Sequence, residues 1–169
     1  MRSSVVVVVV SVLLASCTGS SNDETERTYH GSGGWSVDVP AGWRVLPFDT
    51  SKGDVSARGA QISNVELPPP EIHPGLPIQT SGLVLPPDGV SLIIAADLDP
   101  NVHVPPPEPA RLPLSLDDFA EGSATGGGPT LSVLRFVVSG NVLVASIKMG
   151  SDADQADVEA LVASIRESD

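Results

Sequence analysis

The chain predicts a single α+β domain over residues 33–169, a mostly antiparallel sheet packed by a C-terminal helix and one short helix. Three observations carry that prediction. Apolar and polar residues alternate from Trp35 to Pro47; Val90 to Leu98 is the most apolar run beyond the N-terminus; and two β-rich arms between Leu131 and Met149 lead into a segment of helical periodicity.

In the opening segment Trp35, Val37 and Val39 alternate with Ser36 and Asp38, and Trp43, Val45 and Pro47 resume the alternation after Pro40-Ala41-Gly42. A three-residue loop with Gly42 left-handed pairs Val39 with Trp43, Val37 with Val45 and Trp35 with Pro47, which puts every apolar member on one face. The expectation is a tryptophan-bearing hairpin whose indoles pack in the core instead of forming a ligand platform. Residues 49–59 read as a loop and Ala60 to Leu67 as a strand, with Ile62 and Val65 its surest apolar members. Pro68-Pro69-Pro70, Pro74, Pro77 and Pro86-Pro87 then exclude both helix and central strand, so the loop 68–89 is expected to run extended over the surface. Val90 to Leu98 reads as a central strand buried on both faces. A second proline-rich loop covers 100–113.

Ser115 is placed to cap a short helix from Leu116 to Glu121, with Asp118 at its third position and Gly122 as its stop. Gly126-Gly127-Gly128-Pro129 breaks the chain. Leu131 to Val138 and Val142 to Met149 form the clearest hairpin, turned by Ser139-Gly140-Asn141. A helix from about Ala153 to Arg166 closes the domain: Ser151 or Asp152 can cap it, and Val158, Leu161, Val162 and Ile165 make one apolar stripe.

The N-terminus is of another kind. Arg2, an apolar run from Val5 to Leu14 broken only by Ser11, and small residues ahead of Cys17 have the anatomy of a secretory signal peptide, residues 1–16. At ~1.5 Å per residue this run reaches about half of a ~30 Å hydrocarbon core, too little for a spanning helix. The stretch Leu14-Ala15-Ser16-Cys17 resembles the processing signal of bacterial lipoproteins. That resemblance implies cleavage before Cys17, a diacylglycerol thioether on its sulfur, acylation of its freed amine, and a place on the extracytoplasmic face of the cell membrane. Residues 17–32, small and polar, are then the lipid anchor and a flexible stalk. Cys17 is the only cysteine, so a lipidated chain has no thiol left for a disulfide, a thiolate metal site or cysteine catalysis.

Loss of residues 1–16 leaves 153 of 169 residues, enough for one domain with a real core. Arg2 is the only charge removed, so the formal net charge moves from −12 to −13, which argues against nucleic acid and anionic headgroups as partners.

The opening Gly34-Trp35-Ser36-Val37-Asp38-Val39-Pro40-Ala41-Gly42-Trp43 and the closing Val142 to Ile147 and Val158 to Ile165 look like the PsbP-like sandwich found in lipoproteins of high-GC Gram-positive bacteria. The resemblance covers about a quarter of the chain. It implies an antiparallel sheet flanked by helices, in a family used mostly as accessory or binding modules, and it carries over no functional residue. The proline-rich middle departs from the pattern and leaves strand count and order open.

Few residue sets suggest chemistry. Asp97, Asp99, Asn101 and Glu108 copy the spacing of oxygen ligands in a calcium loop, yet Val102 stands where that loop needs glycine and prolines fill its second half. His73, Glu71 and His103 are the components of a conceivable zinc site but follow no ligand motif, and the third histidine, His30, lies apart. No Gly-x-Ser-x-Gly elbow is present, and Gly126-Gly127-Gly128 lacks the lysine of a phosphate loop. No cofactor and no catalytic set are therefore expected. The leading expectation is a membrane-anchored envelope lipoprotein whose non-catalytic domain binds an envelope protein or a small apolar ligand, with 68–89 as the contact surface. The alternatives are an exported hydrolase with a site assembled only in three dimensions, and a calcium-stabilised module using the 97–108 loop.

Overall fold

A computed structural model describes residues 26–52, 55–70, 84–96, 109–122 and 131–169. Nine strands, one α-helix and one 3-10 turn are found among them. The strands are β1 (Arg27–Gly31), β2 (Trp35–Val39), β3 (Arg44–Lys52), β4 (Val55–Ser63), β5 (Val90–Ala96), β6 (Ala120–Gly122), β7 (Leu131–Val138), β8 (Asn141–Met149) and β9 (Arg166–Glu167); helix α1 is Gln155–Ala163. They form a six-stranded antiparallel sheet in the order β3-β4-β5-β8-β7-β6 and a three-stranded antiparallel sheet in the order β1-β2-β9. The α+β class and the mostly antiparallel sheet are as the sequence predicts.

One core joins these parts. Trp35, Val37 and Val39 of β2, Val158, Leu161 and Val162 of α1 with Ile165 just after it, and Ile62, Leu92, Ile94, Phe136, Leu143 and Ala145 of the large sheet belong to a single buried cluster. The small sheet and the helix thus cover one face of the large sheet. Trp35 is fully buried, its Nε1 donates to the Ser32 carbonyl at 3.1 Å, and Tyr29 stacks at a tilt 5.6 Å from it.

β5 matches its expectation most closely. Val90, Leu92 and Ile94 enter the main core, whereas Ile93 and Ala95 are buried on the opposite face against Phe48. The β7–β8 hairpin also forms where expected, with a turn shorter by one residue. Ser139 and Gly140, at φ 49° and 77°, make a two-residue left-handed turn whose twist suits paired strands, and Asn141 begins β8 opposite Val138.

Several expectations are corrected. The hairpin over residues 35–47 does not form: the chain turns at Pro40, where Trp43 N donates to its carbonyl at 3.1 Å and Gly42 is left-handed as expected, but β2 and β3 then enter different sheets. Trp35, Val37 and Val39 enter the core from the small sheet and Trp43 and Val45 border it from the large one, whereas Pro47 stays exposed. The loop read at 49–59 is mostly strand, since β3 and β4 are paired from Arg44↔Ser63 to Lys52↔Val55, and the strand read at 60–67 ends at Ser63. The end of the segment read as a stalk is β1, held by β2 and by polar contacts with the C-terminus that local sequence does not announce.

The short helix is only one 3-10 turn, Leu116–Asp118, because Ala120–Gly122 pairs with β7 as β6. Its start is as expected: Ser115 N donates to the Asp118 carboxylate at 2.7 Å. Helix α1 is capped by Asp154, which accepts from Ala156 N at 2.9 Å, and it stops at Ala163 because Arg166 and Glu167 pair with β2. Signal residues 1–16, Cys17, the calcium-loop residues 97–108 and the Gly126-Gly127-Gly128 run lie outside the described residues, as do 71–83 of the 68–89 loop.

Candidate functional site

The face of the six-stranded sheet turned away from the main core carries an unusual set of side chains. Strand alternation sends Gln61 and Ser63 of β4, Ser91, Ile93 and Ala95 of β5, and Ser146 and Lys148 of β8 to this side. Register aligns them in rows: Gln61, Ile93 and Ser146 lie side by side, and so do Ser63, Ser91 and Lys148. Gln61, Ser63, Ser91 and Ser146 are 2%, 4%, 1% and 3% exposed.

Buried polar side chains need partners, and this group satisfies only some of its own. Gln61 Nε2 donates to Ser91 Oγ at 3.2 Å, and Ser63 Oγ donates to the Val65 carbonyl at 2.7 Å. Gln61 Oε1 and Ser146 Oγ are buried without a hydrogen-bond partner. Burial lowers the pKa of the Lys148 ammonium on the same face, since desolvation disfavours its charged form.

Two surface clefts are separate from this row. One, about 280 Å³, opens between the layers, lined by Ser32 and Gly33 from the β1–β2 turn and by Asp49, Ser56, Arg58 and Ala96 of the large sheet. Arg58 Nε and Asp49 Oδ2, 3.0 Å apart, form a solvent-exposed pair at its rim. The other, about 400 Å³, is a mostly apolar groove along β7 formed by Pro109, Ala110, Arg111, Leu112 and Val137.

No family model, curated protein or solved structure matches the chain. The site therefore rests on its own geometry.

His30 Nδ1 lies 3.4 Å from Ser168 Oγ on the surface, and His30 lines neither cleft. His73, Glu71 and His103 fall outside the described residues, and among those described no cluster of three or more metal-ligating side chains occurs. The strongest charged constellation is structural. Arg166 grips Asp38 with two hydrogen bonds of 2.7 Å, Thr28 Oγ1 donates to the same carboxylate at 2.7 Å, and Asp38 N donates to Ser164 Oγ at 3.0 Å. The Arg166 and Thr28 hydrogen bonds hold the Asp38 pKa below the ordinary carboxylate value. This clip fastens β1, β2 and β9 together, so the first and last strands of the domain share one anchor point.

The sequence reading did not single out Gln61, Ser91 or Ser146. A signal was present: Ser91 interrupts Val90-Ser91-Leu92-Ile93-Ile94, and Ser146 interrupts Val144-Ala145-Ser146-Ile147. A polar residue inside a strand buried on both faces has no solvent to turn to.

Proposed function

We propose that the protein is a membrane-anchored lipoprotein of the bacterial envelope, held by lipid on Cys17, whose folded domain is a non-catalytic binding or accessory module of the PsbP-like kind. The carrying observation is Leu14-Ala15-Ser16-Cys17 at the end of a short apolar run that follows Arg2. The fold is compatible with the anchor: Arg27, where β1 begins, is the tenth residue after Cys17, so the domain's first strand starts no more than about 35 Å of chain from the lipid. Among the described residues no helix is long and apolar enough to cross a membrane.

The binding role draws on the proline-rich segment 68–89, long for a connection within one domain, as the contact surface for an envelope protein or a small apolar ligand. The anchor is tested by feeding cells an alkyne fatty acid and following incorporation. Wild-type chain is expected to be labelled and to fractionate with membranes, and Cys17→Ala to be unlabelled; labelled Cys17→Ala protein refutes the assignment. The binding role is tested by crosslinking in intact cells, where one dominant partner captured through 68–89 is expected. Partner binding that survives proteolytic removal of this segment overturns that choice of surface.

A further inference from the structure

We propose that the cleft between the two layers binds a small zwitterion of the α-amino acid type, its carboxylate on Arg58 and its ammonium on Asp49. This inference stands apart from the lipid anchor and from the 68–89 segment. Strand alternation places the pair. Ala60 and Ile62 of β4 enter the main core, so Arg58, two residues before Ala60, projects from the same side of the sheet, and Asp49 lies opposite it on β3. Both line a cleft of about 280 Å³ whose other wall is the β1–β2 turn at Ser32 and Gly33. That wall is held at two points: the Ser32 carbonyl accepts from Trp35 Nε1 at 3.1 Å, and the Gly33 carbonyl accepts from Asn141 Nδ2 at 3.1 Å.

The pair leaves binding capacity unused. Arg58 meets Asp49 through Nε and Oδ2 alone, at 3.0 Å. Among the described residues neither group makes a further hydrogen bond, so the two Nη groups of Arg58 and Oδ1 of Asp49 are unengaged. With side chains 64% and 67% exposed, both groups are open to a ligand arriving from solvent. The two Nη groups form a planar fork suited to a carboxylate, and the free oxygen of Asp49 accepts from an ammonium. Charge then decides the class. A bare anion meets Asp49 and a chain of formal net charge −12, whereas a bare cation meets Arg58. An apolar molecule strips water from both charges and returns no hydrogen bond. A ligand whose two opposite charges are adjacent sets each against its complement, and the hydroxyls of Ser32 and Ser56 lie in the same cleft to bond its remaining polar atoms. A volume below the usual range of drug-sized sites keeps that ligand small.

The test titrates the full-length protein in detergent micelles with L-alanine as the zwitterion, sodium acetate as the carboxylate alone and ethylammonium chloride as the ammonium alone, at matched ionic strength. The Arg58 Nε–H and Gly33 amide signals report the cleft by nuclear magnetic resonance. L-alanine is expected to shift both signals saturably, and acetate and ethylammonium to bind at least about tenfold more weakly, because each forgoes one charged hydrogen-bonded contact. Arg58→Gln and Asp49→Asn, read at the Gly33 amide, should each weaken L-alanine by about tenfold or more, whereas Arg44→Gln, which removes the exposed pair with Glu66, should leave it unchanged. Acetate that matches L-alanine identifies an ordinary surface cation and overturns the proposal, as does the absence of a saturable shift with L-alanine. The three-probe comparison in the wild type decides this without any variant.

Discussion

A methyl group at Gly31 should disrupt the domain through one neighbour, Trp35. A Cβ built there overlaps Cε2 and Cζ2 of the indole and lies 2.5 Å from its Nε1. The ring has nowhere to go: it is fully buried, tied to the Ser32 carbonyl by Nε1, and flanked by Tyr29. Overpacking a close-packed core costs about 1–3 kcal/mol, and so constrained a ring places Gly31→Ala at the upper end, ~2–3 kcal/mol. Trp35→Leu alone should cost a comparable or larger amount in lost packing, about 2–4 kcal/mol. The two losses should not add. Once the indole is gone the three atoms that crowd the methyl are gone with it, and alanine in a strand is favoured over glycine by about 0.5–1 kcal/mol, so Gly31→Ala should be neutral or slightly stabilising in the Trp35→Leu background. The expected coupling is ~2 kcal/mol or more, read by urea denaturation followed by far-ultraviolet circular dichroism across the four proteins of the cycle. Gly42→Ala is the control. It has open space around it but a φ of +78°, so its cost of about 1 kcal/mol should be the same with either residue at position 35. An equal cost of Gly31→Ala in both backgrounds would refute the close-approach argument.

Other consequences follow from the clip and the cap. Because Arg166 and Thr28 hold the Asp38 pKa below its unfolded value, the clip's contribution is complete above the unfolded value of about 3.9 and is lost as pH falls through the folded value. Thermal melts from pH 2 to 7 should show Asp38→Asn less stable than wild type at pH 7 and less steeply weakened below about pH 4; parallel profiles would contradict the assignment. Asp154→Ala removes the side chain that accepts from Ala156 N and Asp157 N, and should cost ~1 kcal/mol, whereas Ser151→Ala should cost little. Equal losses would return the cap to the position read from sequence.

Elements governed by burial on both faces or by turn chemistry were legible from sequence. The continuous apolar run of β5 and the β-branched arms flanking Ser139-Gly140 announce themselves locally, and the stripe Val158, Leu161, Val162 and Ile165 identifies the helix. Elements created by pairing partners far along the chain were not. β1 contributes only Tyr29 to the core cluster and exists because β2 pairs with it and Arg166 reaches Thr28 and Asp38. β9 ends a helix early for the same reason: Ser36 and Trp35 offer Arg166 and Glu167 a sheet edge that outcompetes another helical turn. The pairing of Trp35 with Pro47 was a register argument applied within one sheet. It failed because alternation states which side chains face inward and leaves open which layer they face inward from.

The same limit explains why the buried polar side chains of the large sheet escaped notice. The core-facing side of β4, β5 and β8 is apolar at Ala60, Ile62, Leu92, Ile94, Ala145 and Ile147. The opposite side of the same three strands interleaves Gln61, Ser63, Ser91 and Ser146 with Ile93 and Ala95, although it is buried almost as deeply. Burial alone cannot produce this contrast, since both faces would then favour branched apolar residues. Nor does hydrogen bonding within the row account for it, because Gln61 Oε1 and Ser146 Oγ remain unpartnered. The two faces therefore differ in kind: one holds the layers together, and the other buries amide and hydroxyl groups of which two stay unpartnered. Ser146→Ala removes one of the two unpartnered groups without touching the packing of Trp35 or the helix.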